Sequence, residues 1–124
     1  MSIHWNDSQP IYWQLKERTV AMILDGTLGE GEALPSVRTV AVEFQLNPIT
    51  VSKSYQALVD EGLVEKRRGL GMFVCKGALK KLFASERDKF LNEEWPATLN
   101  RIGQLGLEIK ELFNEALEKE SESS

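Results

Sequence analysis

Two neighbouring stretches decide the fold: Leu34–Pro35–Ser36–Val37–Arg38 and Leu46–Asn47–Pro48–Ile49–Thr50–Val51–Ser52–Lys53. Each begins a helical pattern of apolar residues directly after a good N-cap residue, Ser36 in the first and Asn47 in the second. Pro48 suits the first helical position, because its missing N–H would be unpaired there. Only Gln45 and Leu46 remain for the turn, so the two helices are expected to cross steeply, as in a helix-turn-helix.

The residues that follow predict a β-hairpin. Gly62 ends the second of these helices, and strand-like runs over Leu63–Arg67 and Met72–Lys76 flank the turn sequence Arg68–Gly69–Leu70–Gly71. A helix-turn-helix followed by a charged hairpin is a winged helix-turn-helix. The expected fold class is therefore mainly α with a small β-hairpin, followed by a short C-terminal α-helical dimerisation region.

A further helix is expected before the helix-turn-helix, from about Pro10 to Asp25. Ser8 is its expected cap, Pro10 its first helical residue, and Gly26 suits the left-handed position that ends a helix. Its buried face is predicted from mostly apolar residues at helical spacing. These residues are Tyr12, Leu15, Thr19, Met22 and Ile23.

The sequence beyond Gly77 is helical and acidic. One amphipathic helix is predicted to about Glu93 and another from Pro96, with a break at Leu105–Gly106–Leu107. Large apolar residues recur in steps of four and three, which is typical of a coiled-coil seam. A two-fold dimer would cover them, and a hydrophobic effector cleft at the same place is the alternative. The predicted interface between two copies is Trp95, Leu99, Ile102, Ile109 and Phe113.

These patterns divide the chain into three parts. Residues 1–77 are expected to form a winged helix-turn-helix DNA-binding domain, residues 78–120 a helical dimerisation region, and residues 121–124 a frayed tail. The net charge is −4, yet Lys66, Arg67 and Arg68 are consecutive. A local basic face on an acidic chain favours a specific regulator over a general polyanion binder.

Composition argues against several other classes. No apolar run reaches the roughly 18 residues of a membrane span, and residues 1–7 lack a secretory signal, so we expect a cytoplasmic protein without a membrane partner. Cys75 is the single cysteine and His4 the single histidine, so no disulfide, metal or cofactor site is expected. Cys75 is interpreted as a core thiol, with a redox sensor as the alternative.

The candidate DNA-contacting residues lie at two helix starts and on the hairpin. Residues 48–61 form the predicted recognition helix, whose first turns reach base edges in the major groove. The wing, residues 66–71, is expected on the backbone or in the minor groove. The alternative for Arg38 is a surface ion pair with Glu43 or Glu32. The candidates are Ser36, Arg38, Asn47, Thr50, Ser52, Lys53, Arg67, Arg68 and Gly69.

Three motifs together resemble one known family. They are Leu34–Pro35–Ser36–x–Arg38, Asn47–Pro48–x–Thr50–Val51–x–Lys53–x–Tyr55 and Arg67–Arg68–Gly69–x–Gly71–x–Phe73–Val74. The chain resembles the GntR family of bacterial transcription regulators over roughly Pro10 to Cys75. Its start, Asp7–Ser8–x–Pro10–Ile11–Tyr12–x–Gln14, and its short helical C-terminus are similar to the YtrA subfamily.

This resemblance implies a dimer that usually represses transcription and binds an inverted repeat. It implies DNA-contacting positions at Arg38, Thr50, Lys53, Arg68 and Gly69. Many relatives have an arginine where this chain has Pro48, and this difference suggests a different operator.

The sequence therefore predicts a homodimeric, sequence-specific transcription regulator, a repressor that binds double-stranded DNA. A small-molecule effector is possible, and nothing in the sequence identifies one. The alternative is a protein-interaction module that uses the winged helix as a scaffold, but a scaffold needs neither the basic hairpin nor the polar helix start. An enzyme is a distant third, because no nucleophile–base pair is present.

Overall fold

The structure is a computed structural model, and it describes residues 5–123. Residues 1–4, which include His4, and Ser124 lie outside the described residues. The chain divides into two compact units, the first ending at Ala84 and the second beginning at Ser85. In chain order the elements are α1 (Ile11–Leu24), α2 (Val37–Phe44), α3 (Pro48–Asp60), β1 (Val64–Arg67), β2 (Gly71–Val74), α4 (Ala78–Lys89), a π-helical turn (Phe90–Glu94), α5 (Trp95–Gln104) and α6 (Ile109–Ser123).

The helix-turn-helix forms as predicted, because a side chain caps the start of each helix. The Ser36 Oγ accepts a hydrogen bond from the Thr39 N–H at 3.1 Å, and the Asn47 Oδ1 accepts one from the Ile49 N–H at 2.9 Å. Between the helices, Gln45 adopts a left-handed φ of 55°, which reverses the chain within a very short turn. The predicted caps at Ser36 and Asn47 are confirmed.

The start of α1 is held in a different way from the one predicted. Pro10 precedes the helix and no side chain caps it, so the prediction of Ser8 as the cap is wrong. The Gln14 side chain fixes the preceding segment instead. It accepts from the Asn6 N–H at 2.7 Å and donates to the carbonyls of Asn6 at 2.6 Å and Gln9 at 2.8 Å. The predicted left-handed Gly26 is confirmed, with a φ of 87°.

The core of the first unit centres on α3. Val51 and Leu58 of this helix are 0% exposed. Their burial fixes the inner face of α3, and this in turn determines which side chains of the helix face solvent. The other buried apolar residues are Leu15, Val20, Ile23, Leu28, Leu34, Val40, Ala41, Tyr55, Leu63, Val64, Val74, Ala78 and Leu82.

The buried face of α1 differs at its edges from the predicted buried face. Tyr12 and Met22 are only half-buried, whereas Lys16 is 5% exposed. The Lys16 Nζ lies 2.6 Å from a Glu61 carboxylate oxygen and 3.9 Å from the ring centroid of Trp13. A buried ammonium needs such partners, and they come from separate parts of the chain.

The predicted hairpin forms, but its second strand ends at Val74 rather than at Lys76, because the chain turns at residues 76–77 into α4. The segment before α2 also pairs with the hairpin, which the sequence did not predict. β1 and β2 are antiparallel and are joined by residues 68–70. Ala33 forms an isolated antiparallel bridge to Phe73, and the Leu34 N–H donates to the Met72 carbonyl at 2.8 Å. The segment before α2 is thereby fixed to the hairpin.

The first compact unit extends to Ala84, whereas the sequence analysis placed the domain boundary after residue 77. The physical reason is the start of α4, where Ala78 and Leu82 are only 1% and 5% exposed. These side chains belong to the core of the first unit.

Glu30 caps the start of α4 across a long sequence separation. Its carboxylate accepts hydrogen bonds from the N–H groups of Gly77 at 2.8 Å and Leu79 at 3.2 Å. These two bonds lower the pKa of Glu30. A carboxylate at a helix N-terminus also complements the helix dipole.

The second unit has no buried side chain among residues 85–122. Pro96 lies in the first turn of α5, as predicted. The π-helical turn Phe90–Glu94 precedes it. Gly106, with a φ of 70°, lies in the predicted break.

The last helix is longer than predicted. α6 continues to Ser123, so residues 121–123 of the predicted frayed tail are helical. Glu and Lys make up seven of the fifteen residues of α6 and are good helix formers. Within residues 5–123, no helix is long and apolar enough to cross a membrane.

Candidate nucleic-acid interface

α3 turns one face to the core and the other to solvent. Val51 and Leu58 are fully buried, whereas Ser52 and Lys53 are exposed and Thr50 lies half-buried at the edge. The first turns of the helix therefore present polar and basic side chains outward. A recognition helix presents its first turns to base edges in this way.

The tip of α3 carries Asn47 and Ile49. The Asn47 Oδ1 is engaged in the cap, so its amide N–H groups are the part of the side chain left for an external acceptor. Ile49 is 75% exposed. Ile49 is not among the predicted contacts, although an apolar group at this position suits a thymine methyl group.

An aromatic ring from α1 holds the ammonium group of Lys53. The Lys53 Nζ lies 4.2 Å from the ring centroid of Tyr12. A cation over an aromatic face is attracted by the ring quadrupole, so the long lysine side chain is ordered at the outer face of α3. No spacing in the sequence could have revealed this pair.

Ser36 and Arg38 at the start of α2 have different roles. The Ser36 Oγ is taken by the cap and by a 2.8 Å hydrogen bond with the Thr39 Oγ1. Arg38 is exposed and forms no ion pair within residues 5–123, either with Glu32 and Glu43 or with another carboxylate. A cation in the first turn of a helix opposes the helix dipole, so an external anion would stabilise it.

Tyr55 connects the recognition helix to the segment that leads into α2. Its hydroxyl donates to the Pro35 carbonyl at 2.7 Å, and Tyr55 is 3% exposed. Burial raises the pKa of this hydroxyl to about 12. No pattern in the sequence predicts this bond, which sets the start of α2 relative to α3.

The two arginines of the wing differ in their surroundings. The Arg67 Nε and Nη2 each lie 3.0 Å from the Glu65 Oε1, and the guanidinium carbon lies 4.3 Å from the ring centroid of Phe73. Arg68 is exposed and has no partner in the described part of the chain. Gly69 beside it has a left-handed φ of 77°. Of the two arginines, Arg68 is therefore the one without a partner among residues 5–123, and Arg67 is held within the hairpin.

Cys75 has the surroundings of an unreactive thiol. It is half-buried, and burial, followed by the nearby Glu65 carboxylate, raises its pKa. A raised pKa disfavours the thiolate that redox chemistry requires. Within residues 5–123, no group of three or more His, Cys, Asp or Glu side chains could hold a metal ion.

The first unit has the architecture of a winged helix-turn-helix DNA-binding domain. It joins two helices across a tight turn, exposes the polar start of the second, and places a basic hairpin after it. These are the parts with which such domains meet DNA. They define the class of protein, and comparison with known proteins defines the family.

Residues 11–74 match the profile of the bacterial regulatory proteins of the gntR family. The HTH-type transcriptional repressor YtrA of Bacillus subtilis is 32% identical over 105 residues, which are 85% of this chain and 80% of the relative. A GntR-family regulator from Bacteroides thetaiotaomicron has a crystal structure with 32% identity and a TM-score of 0.72, over 92% of this chain and 99% of that one. The DNA-binding domain of AraR, crystallised with operator ORX1, is 25% identical with a TM-score of 0.53, over 60% of this chain and 92% of that one.

The chain belongs to the GntR family of bacterial regulatory proteins. It is a DNA-binding transcription regulator, and its relatives are regulators rather than enzymes. The predicted winged-helix fold and the predicted similarity to YtrA are confirmed.

Proposed function

We propose that the protein is a homodimeric repressor, acting in the cytoplasm, that binds an inverted-repeat operator in double-stranded DNA. The observation that carries the proposal is the outward-facing start of α3, which carries Thr50, Ser52 and Lys53. Arg38 and Arg68 are also exposed, and neither has an acidic partner among residues 5–123. YtrA, a relative, is a repressor, and the related DNA-binding domain of AraR was crystallised on an operator. Both support this assignment, and bacterial DNA lies in the cytoplasm.

In this proposal the first turns of α3 read the operator sequence in the major groove. Thr50, Ser52 and Lys53 contact base edges there, and the Asn47 amide donates to an acceptor at the groove edge. Hydroxyl, ammonium and amide groups discriminate base pairs by their donor and acceptor patterns. The contact of Lys53 with the Tyr12 ring supports this role, because it limits the directions in which the ammonium can point.

Arg38 and Arg68 hold the phosphate backbone in this proposal, together with backbone groups near Ser36 and Gly69. Their lack of an acidic partner in the described chain supports phosphate as the missing anion. Such contacts set affinity and salt dependence rather than sequence preference. Arg67 contributes less, because contact with a phosphate would compete with its ion pair to Glu65.

The homodimer forms through the second unit. Leu91, Leu105, Phe113 and Leu117 are 60%, 55%, 53% and 63% exposed. So much exposed apolar surface on a short helical segment is unfavourable in water. A second copy of the same surface, related by a two-fold axis, would cover it.

The residues predicted for this interface differ in exposure. Trp95, Leu99 and Ile102 are half-buried, whereas Ile109 and Phe113 are 39% and 53% exposed. We propose that all five contribute, the last two by direct contact with the partner copy. If a small-molecule effector acts on this protein, we expect it to bind beside the ring stack of the second unit. There Trp95 lies 6.3 Å from Phe90 and 6.2 Å from Phe113, centroid to centroid.

Selection of bound DNA from a random pool tests the proposal. The expected motif is an inverted repeat whose half-sites are spaced by about one helical turn, because a two-fold dimer presents two recognition helices. A single half-site would contradict the dimer, and no enriched motif would contradict sequence-specific binding.

Sedimentation velocity tests the dimer separately. Leu117→Lys places a charge on the apolar surface and should give monomers. Val42→Lys is the matched control, because Val42 is 74% exposed on α2 of the first unit, and it should leave the dimer unchanged. Equal dimer dissociation constants for the two variants would remove Leu117 from the interface.

A further inference from the structure

A leucine occupies the tip of the basic wing. Leu70 is 72% exposed, and it lies between Gly69 and Gly71, whose φ angles are 77° and 116°. A single exposed leucine on a protein surface is ordinary. The position of Leu70 is unusual, because turn positions usually carry small or polar residues and because the neighbouring Arg68 is a cation with no partner in the part of the chain that the structure describes.

Leu70 has no visible role within the hairpin. Its backbone N–H donates to the Arg67 carbonyl at 2.9 Å, and any residue except proline could make that bond. A Cβ added at Gly69 or Gly71 would meet no atom within 4 Å. The tip therefore consists of one apolar side chain with open space on both sides.

We propose that Leu70 is an apolar DNA-contact residue that enters the minor groove next to the major groove read by α3. This inference rests on the proposed binding of DNA through α3 and the wing. The minor groove is about 6 Å wide, and a glycine–leucine–glycine tip is narrow enough to approach its walls. Minor-groove proteins use leucine and similar side chains in this way, against the sugars and between base steps.

The apolar contact has a signature that separates it from a phosphate contact. Burying a leucine against sugar carbons releases no condensed counterions, so its loss should weaken binding equally at every salt concentration. Loss of a phosphate contact lowers the slope of log K against log salt by about one unit. Leu70→Ala and Arg68→Ala should therefore differ in slope although the two residues are close neighbours in the wing.

The first test is affinity for a selected operator at several salt concentrations. Leu70→Ala should weaken binding about tenfold, as expected for a leucine that is largely buried in the complex, with the wild-type salt slope. Leu70→Met should restore most of the affinity, because it keeps the apolar volume. Val42→Ala controls for loss of an equally exposed apolar side chain on α2 and should stay within about twofold of the wild type.

The second test is footprinting on the same operator. Hydroxyl radicals cleave at sugars lining the minor groove, whereas dimethyl sulfate reports guanine N7 in the major groove. Leu70→Ala should lose sugar protection beneath the wing and keep the N7 protection beneath α3.

These outcomes separate the inference from the function on which it rests. Unchanged affinity and unchanged sugar protection in Leu70→Ala would overturn the minor-groove role and leave the proposed function intact. A loss of affinity that came with a reduced salt slope would also overturn it. Absence of N7 protection by the wild-type protein would overturn the proposed major-groove binding itself, and this inference with it.

Discussion

Tyr55→Phe removes one hydroxyl group and should loosen the start of α2. The hydroxyl donates to the Pro35 carbonyl at 2.7 Å, and Tyr55 is 3% exposed, so water is poorly placed to replace the bond. Loss of the hydrogen bond, with a carbonyl left under-satisfied, should cost about 1–2 kcal/mol of unfolding free energy. Each kcal/mol lowers Tm by roughly 4–8 °C for a domain of 60–100 residues.

Urea and thermal unfolding measure this effect, and the chain supplies its own control. The other of the two tyrosines in the chain is Tyr12. It is half-buried, and its hydroxyl has no hydrogen-bond partner in the described part of the chain. Tyr12→Phe should change stability by less than about 0.5 kcal/mol, and it keeps the ring beneath Lys53. Tyr55→Phe should also weaken operator binding, because it loosens the segment that positions Arg38.

The pH dependence gives a second signature. The pKa of Tyr55 is raised in the folded state, to about 12 from a usual 10.0, so folding favours the protonated hydroxyl. Its contribution to stability is complete below pH 10 and is lost as the pH rises towards 12. The stability difference between the wild type and Tyr55→Phe should shrink over that range. Equal unfolding curves for the two proteins at pH 8, in repeated measurements, would refute the reasoning.

Three further substitutions test other parts of the account. Glu30→Gln should lower stability at neutral pH and flatten its fall in acid. The hydrogen bonds from the N–H groups of Gly77 and Leu79 lower the pKa of the Glu30 carboxyl from its usual 4.5. The contribution of the carboxylate to stability is therefore present above pH 4.5 and is lost as the pH drops below that value. Urea unfolding at pH 7 and pH 4 measures this loss. Ser54→Ala should leave the protein as stable or up to about 1 kcal/mol more stable in urea, because the Ser54 hydroxyl is buried without a partner in the described chain. A loss of stability of more than about 1 kcal/mol would contradict this and show that the hydroxyl makes a hydrogen bond. Arg38→Ala should weaken binding to all sequences and reduce the salt slope by about one unit, and an unchanged slope would separate Arg38 from phosphate.

The parts of the fold that depend on near neighbours could be predicted from the sequence. Ser36 and Asn47 cap helices whose free N–H groups lie two or three residues away, so the residue type and its position suffice. The glycines of the hairpin turn are equally local. The position of α3 followed from these signals together with its apolar spacing.

The features that the sequence analysis missed join residues that are distant in the chain. Glu30 caps α4 across 47 residues, and Lys16 is buried because Glu61 is brought beside it. The contact between Tyr12 and Lys53 joins α1 to α3. Each pair depends on the assembled core, and no local pattern marks its members as partners.

The same limit applies to the DNA contacts. The motif identified Arg67 and Arg68 together, and their spacing in the sequence is no guide to which one is free. Glu65 and Phe73 engage Arg67 because the hairpin register places Glu65 opposite Phe73, two residues before the Arg67–Gly71 pair and so on the same face of the hairpin. Arg68 follows the last paired residue of β1 and has no such neighbours.

The central claim is that α3 reads the base sequence while Arg38 contacts the DNA phosphate backbone. It is tested most directly by selecting bound DNA with three proteins in parallel: the wild type, Thr50→Ala and Arg38→Ala. We predict an inverted repeat for the wild type, the same motif at lower affinity for Arg38→Ala, and a changed preference at one base pair of each half-site for Thr50→Ala. An identical motif for Thr50→Ala, or a changed motif for Arg38→Ala, would contradict the claim that the first turns of α3 read the sequence while Arg38 holds the backbone.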